Sequence, residues 1–239
     1  MTTSKTLANN KPLRIFTLCC LYLAQGIPNG FMGQVMTSEM TAEGIYESQR
    51  ALFMLLSMAP WLLKFFVGPI IDQRAISSYG KRRPWIIGAQ ILMGVTLIGM
   101  SFLTSFEAQF HLICIAAFIY NIWAVFQDTA LDALIVDLNP KTERAAMNSW
   151  VWVLRLIGFT VIGVWGGGEL LRLYGLHTTF IIQAMIVFLL IVPIILYKEH
   201  ATLNALKRRP TNINSLPWKD GLTSLYKQNK YQTFIFCFA

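Results

Sequence analysis

Hydrophobic and polar positions alternate in long blocks along this chain. Apolar runs cover Leu13 to Val35, Ala51 to Ile71, Pro84 to Phe102, Phe110 to Val136, Ala146 to Gly166 and Thr178 to Tyr197. Each is near or above the roughly 20 residues that carry a helix across a ~30 Å hydrocarbon core, so the pattern predicts six spans. Punctuation falls where helices should begin or end: Pro84 suits the first turn of the third span, and Asn139 with Pro140 closes the fourth. The predicted fold class is an all-α integral membrane protein, a six-helix bundle over residues 13–197 after a short tail at 1–12. A polar, basic stretch at 198–230, containing Pro210 and Pro217, reads as a linker. Residues 231–239 are apolar but rise only about 13 Å as a helix, so they read as the truncated start of a seventh span.

Composition agrees with this pattern. Of the 239 residues, 55% are hydrophobic and 13% charged, about half the charged share of a soluble domain. Disorder and collagen-like structure are excluded. The four cysteines, Cys19, Cys20, Cys114 and Cys237, lie in apolar blocks and form no secreted disulfide framework. The basic residues ahead of the first span resemble a secretory leader, but no small-residue cleavage site follows and five more spans do.

Charge orients the bundle. Lys5, Lys11, Arg14, Arg74, Lys81, Arg82, Arg83, Lys141, Arg144 and the basic residues after Tyr197 fall on one side; Arg50 and Arg172 fall on the other with Glu39, Glu43, Glu47, Glu107 and Glu169. Positive residues stay cytoplasmic, so both ends of the six-helix unit are predicted there. The net charge of +8 follows from topology and attraction to anionic lipid, and calls for no nucleic acid.

Four ionisable residues interrupt the spans: Lys64, Asp128, Asp132 and Arg155. Intramembrane charge is costly and marks pairing or function. At ~1.5 Å per residue they lie about 10, 13, 7 and 12 Å from the cytoplasmic end, in one layer. Asp128 and Asp132 are four apart and share a helix face, which Asn121 extends; Ser57 with Lys64, and Asn148 with Arg155, are seven apart and do the same. The pattern predicts polar faces around an interior cavity, with structural ion pairing or snorkelling of Lys64 as the alternative. In the first span, Gly26, Ile27, Pro28, Asn29 and Gly30 predict either a helix break at a binding site, with Tyr22, Gln25 and Asn29 facing one way, or a packing kink. The glycines at 158, 163 and 166–168 read as close helix packing.

The loop after the second span carries Gly68, Asp72, Arg74, Gly80, Lys81, Arg82 and Arg83. It resembles the loop motif of the major facilitator superfamily, with Gln73 where that motif's arginine is usual. Asp72 at a helix carboxyl end opposes the dipole and needs a cationic or amide partner. The segments from Trp61 to Asp72 and from Gln127 to Ala133, then Asp137, Pro140, Glu143 and Arg144, with Arg155, resemble AmpG-like muropeptide permeases and the related acetyl-CoA transporters. That resemblance implies twelve helices in two halves rocking about a central site, of which this chain supplies the amino-terminal half. Together with the charged layer and the polar helix faces, it points to a proton-coupled permease of the bacterial cytoplasmic membrane, with Gln25, Asn29, Lys64, Asn121 and Arg155 at the cavity or substrate. Asp128 and Asp132 become the proton-coupling candidates, and Gly68, Asp72, Arg74, Gly80, Arg82 and Arg83 the gate loop. The implied partners are lipid, protons, a small anionic substrate, and the missing half or a second copy; no cofactor or metal is called for. Siderophore permeases are an alternative, as is a truncated product without transport of its own. A Mg²⁺-dependent prenyltransferase is a further alternative on the D-x-x-x-D spacing of Asp128 and Asp132, although a second such cluster is missing from the sequence.

Overall fold

The computed structural model describes residues 6–73, 80–103 and 105–199. Among them five apolar helices are long enough to cross a membrane: α1 (Lys11–Ala42), α2 (Glu47–Asp72), α3 (Arg83–Met100), α4 (Phe110–Leu138) and α5 (Arg144–Leu196). The protein is an all-α, multi-pass membrane protein. Straight, the 53 residues of α5 would reach about 80 Å, far beyond a ~30 Å core. The chain instead leaves the helix at Gly175, where φ is 76° and ψ 176°, a conformation glycine adopts without a Cβ clash. Beyond it the helix doubles back. A Cβ placed on Gly167 would lie 3.6 Å from the Gln183 amide, whereas sixteen helical residues would separate the two by about 24 Å. Two antiparallel arms result, residues 144–174 and 176–196, and they hold the stretches expected as the fifth and sixth spans.

α1 differs from expectation in two ways. It runs on to Ala42 rather than stopping near Val35. Polar residues alone do not end it, because Thr37 and Thr41 donate back to the carbonyls of Gly33 and Thr37 at 3.1 and 2.8 Å; the turn comes at Gly44, with φ 78°. Nor does the Gly26–Gly30 segment unwind. The helix passes through Pro28 and widens only afterwards, into π-helical turns over Phe31–Met36.

The glycines serve contact. A Cβ on Gly26 would sit 2.3 Å from the carbonyl oxygen of Arg155, and one on Gly30 2.2 Å from that of Phe159. From the other side, a Cβ on Gly163 would sit 2.3 Å from the carbonyl oxygen of Ile27. Small residues here let two backbones touch, which is how membrane helices pack tightly without a hydrophobic driving force. α5 is itself π-helical across this contact, over Gly158–Gly166.

Two apolar clusters fill the bundle. One contains Phe31, Phe53, Leu97, Tyr120 and Phe180, the other Leu18, Leu21, Ile71, Val125, Leu134 and Ile194. Outward faces remain apolar, with Leu62 and Phe65 each 81% exposed, which is ordinary for a chain solvated by lipid. At the end of the bundle where α1 begins, Leu7 and Ala8 donate to the carbonyls of Lys198 and Glu199 at 2.9 and 3.1 Å. Lys198 and Glu199 therefore belong with the bundle and not with the expected linker. The remainder of that linker and residues 231–239 lie outside the described residues.

Candidate functional site

The charged layer forms one connected cluster. Lys64 Nζ donates to Asp128 Oδ2 at 2.5 Å and to Asp132 Oδ2 at 2.8 Å, tying α2 to α4. Arg155 reaches the second oxygen of Asp128 at 3.4 Å from α5. Asp128 is the hub: it is 2% exposed and holds both cations. Asp132 lies at the edge, 49% exposed. The four-residue spacing puts both carboxylates on one face of α4, with the Lys64 ammonium hydrogen-bonded to both.

Tyr22, whose hydroxyl donates to Asp132 Oδ1 at 2.5 Å, joins the cluster from α1. Trp61 joins it from α2, its indole N–H donating to Asn121 Oδ1 at 3.0 Å. The Arg155 guanidinium lies over the rings of Trp61 and Trp152, 5.4 and 5.0 Å from their centroids, contacts that favour a cation kept out of bulk water. Tyr22 is on the face that the sequence assigns to a possible binding site, with Gln25 and Asn29, whereas Trp61 and Trp152 carry no such signal because Trp in an apolar helix reads as core. Their one usable signal was the unmet need of a Trp N–H for a partner in hydrocarbon.

Beside the cluster opens a cavity of about 300 Å³. Asn29, Ser57, Asn121 and Arg155 supply its polar wall, and Phe53, Trp61 and Phe159 its aromatic one. Gln25 does not line it. That side chain is fully buried and donates to the carbonyl of Ala124 at 3.3 Å. Lys64 does not line it either; its ammonium is committed to the two carboxylates. Among the candidate cations, Arg155 is the one with its guanidinium at the cavity and only a long ionic contact behind it.

The end of α2 and the start of α3 form a second network. Asp72 receives Arg82 at 2.6 Å and Lys81 at 3.2 Å, the cationic partners its place at a helix end requires. Arg82 also donates to Asp137 at 3.1 Å, so three helix ends meet through one guanidinium. Arg83 is buried and donates to the carbonyls of Ile194 and Ile195, at 2.6 Å for the first, which satisfies the end of α5 rather than any free loop surface. Gly80, at φ 113°, lets the chain close on Glu199, whose carboxylate would lie 2.5 Å from a Cβ there. That carboxylate accepts the backbone N–H groups of Lys81, Arg82 and Arg83 at 3.0, 3.0 and 2.5 Å and caps α3. Gly68 has open space where a Cβ would go, and Arg74 lies outside the described residues.

Glu143 pins the start of α1 to the start of α5, accepting Lys11 at 2.9 Å and Arg14 at 3.3 Å. The Lys11 hydrogen bond first, then the charges of Lys11 and Arg14, hold its carboxyl below the usual glutamate range. A carboxyl lowered on folding stabilises above its unfolded value of about 4.3 and loses that contribution as pH falls through the lowered one. Glu143→Gln is therefore expected to melt below the parent at neutral pH, the gap closing as pH drops past about 4. Melting temperatures across pH measure this; a gap that stays constant to acid pH means the pair contributes nothing.

Helix length, the charged layer and the loop network define a polytopic membrane protein with a polar intramembrane site, the class to which transport proteins belong. Comparison with known sequences makes the assignment specific: the model of the BT1 family matches residues 23–234, and the chain belongs to that family. It is 30% identical over 140 residues to the anhydromuropeptide permease of Escherichia coli (strain K12), covering 56% of this chain and 28% of that protein. An uncharacterised protein of Schizosaccharomyces pombe is 28% identical over 183 residues, covering 70% of this chain and 33% of that protein. An uncharacterised membrane protein of Saccharomyces cerevisiae is 35% identical over 99 residues, covering 39% and 17%. The matched part thus covers a third or less of each of these relatives. The resemblance to AmpG-like permeases read from the second-span and fourth-span segments is borne out.

Proposed function

We propose that this chain forms the amino-terminal half of a proton-coupled secondary transporter that imports anionic solutes, muropeptides or compounds of similar chemistry. The observation that carries the reading is the buried Asp128, paired with Lys64 and Arg155 beside a cavity within the span. Likeness to the anhydromuropeptide permease supports the substrate class. In this reading the chain crosses a bacterial cytoplasmic membrane six times with its amino terminus inside, and a second half or a second copy completes the cavity.

The chemistry follows from the geometry. Asp128 shares its negative charge between Lys64 and Arg155. Protonation neutralises it, leaves Lys64 to Asp132, and releases Arg155 toward the cavity, where a substrate carboxylate takes the vacated place in a bidentate pair. Deprotonation on the cytoplasmic side draws Arg155 back to Asp128 and expels the anion. The two networks then divide the work: the buried cluster senses proton and substrate, and the Asp72, Arg82, Asp137 contacts hold the cytoplasmic ends of α2, α3 and α4 together while that side is shut.

The test is uptake of radiolabelled anhydromuropeptide by the full-length protein in membrane vesicles. Accumulation driven by an acidic exterior and collapsed by a protonophore is expected. Accumulation indifferent to the gradient overturns proton coupling, and uptake of a ferric siderophore in place of the muropeptide overturns the substrate class.

A further inference from the structure

Trp61 touches two of the polar groups at the cavity. Its indole N–H donates to Asn121 Oδ1 at 3.0 Å, and its ring centroid lies 5.4 Å from the Arg155 guanidinium. All three side chains line the same cavity. They come from α2, α4 and α5, so one indole ties three helices together where a ligand would sit.

The consequence for Asn121 is directional. Its amide is held at both ends, the oxygen accepting from Trp61 and the nitrogen donating to the carbonyl of Ala117 at 2.9 Å. An indole N–H only donates and a carbonyl only accepts, so these two partners fix which end is which. Turning the amide over would set N–H against N–H and oxygen against oxygen. The N–H that remains unspent is therefore a donor of fixed direction, on a side chain that is 3% exposed.

Arg155 adds donors alone. One of its N–H groups meets Asp128, at 3.4 Å, and the others have no hydrogen-bond partner among the described residues. A cation–π contact restrains a guanidinium without neutralising it. Arg155 is also the sole charged residue of the lining, which neither Asp128 nor Asp132 reaches. Asn29, Gln34 and Ser57 complete the polar wall, and each is able to donate or accept, so direction comes from Asn121 and Arg155.

We propose that Trp61 is a specificity-determining positioning residue: it locks Asn121 as a donor and restrains Arg155 at the same cavity, so that this wall selects an oxyanion with a further acceptor oxygen and rejects groups that bring N–H donors. The inference rests on this cavity being the substrate site, and it names the feature of the anionic solute that is read there. Trp61 acts through its two neighbours.

Uptake of radiolabelled anhydromuropeptide by the full-length protein in membrane vesicles tests this, with the same compound carrying amidated carboxylates as competitor. Trp61→Phe keeps an aromatic face for Arg155 and removes the N–H. It is expected to raise KM about tenfold with the maximal rate within about twofold of the parent's. It is also expected to narrow the preference for the acid over the amidated competitor, because the freed amide turns its oxygen to the cavity. Asn121→Leu is expected to raise KM as far, and the double variant no further, since both changes remove one interaction. The double variant leaves neither partner unpaired, so it gives the reading if a single variant folds poorly. Additive losses, an unchanged KM, or a fall in maximal rate alone overturns the positioning role. A parent that takes up no anhydromuropeptide overturns the substrate reading, and this inference with it; a parent that does, matched by all three variants, overturns this inference alone.

Discussion

Asp128→Asn is expected to abolish proton-driven uptake in the full-length protein, with the variant still inserted in the membrane. The argument is electrostatic. Asp128 is the most buried member of the cluster and the sole carboxylate that Arg155 contacts among the described residues. Asparagine keeps the shape but neither charge nor titration, so Arg155 is left a partly buried cation without an anion. Breaking a buried pair from one side costs about 3–5 kcal/mol, and the half-exposed Lys64, which retains Asp132, brings the expected loss toward the lower figure. Asp132→Asn is expected to cost less in stability, because Asp132 is 49% exposed and its loss leaves Lys64 on Asp128. Removing both partners separates the two consequences. Asp128→Asn combined with Arg155→Gln is expected to recover much of the lost stability, as no unpaired charge remains, while uptake stays at background. Melting temperature and vesicle uptake on the same four proteins decide it. Normal proton-driven uptake by Asp128→Asn removes Asp128 from the mechanism.

The sequence exposed the charged layer because charge in hydrocarbon is conspicuous. Depth arithmetic on four residues placed Lys64, Asp128, Asp132 and Arg155 together, and the structure brings them within ionic contact. Division of roles within the layer was not legible. Whether Lys64 or Arg155 meets the cavity depends on helix rotation, and α2 is interrupted at Leu63, between Ser57, which lines the cavity, and Lys64, which does not. Gln25 does share a face with Tyr22, on the ion cluster, and Asn29, on the cavity, but its amide is held against the Ala124 carbonyl of α4 rather than open to the cavity, a packing detail that helix periodicity does not carry. Glu199 was hidden differently. In a basic stretch it reads as a solvated linker residue, and only the close approach at Gly80 shows it to be the cap of α3. The loop motif was legible as a motif, but that Arg82 reaches both Asp72 and Asp137 was not.

The largest structural effect is expected from the glycines of α1. Gly26→Ala and Gly30→Ala each add one methyl group, and each methyl would land on a carbonyl oxygen of α5, 2.3 and 2.2 Å away. No rotamer relieves a clash between a Cβ and a backbone, so the two helices must separate by an ångström or more along a contact that holds both apolar clusters in register. Overpacking of this kind costs typically about 1–3 kcal/mol where side chains can yield, and more is expected here, where they cannot. Gly88→Ala in α3 is the control: nothing lies within 4 Å of its Cβ position, and an alanine in a helix interior gains up to about 1 kcal/mol. Opposite signs are therefore predicted for the same substitution at two depths of one bundle. Gly26 also ties stability to transport, because the oxygen its methyl would strike belongs to Arg155. Displacing that peptide lengthens an already long contact with Asp128, so Gly26→Ala is expected to shift the pH dependence of uptake as well as the melting temperature. Gly30→Ala, against Phe159, is expected to lower stability with a smaller shift. Equal melting temperatures for Gly26→Ala, Gly30→Ala and Gly88→Ala would show that α1 and the first arm of α5 do not pack backbone to backbone.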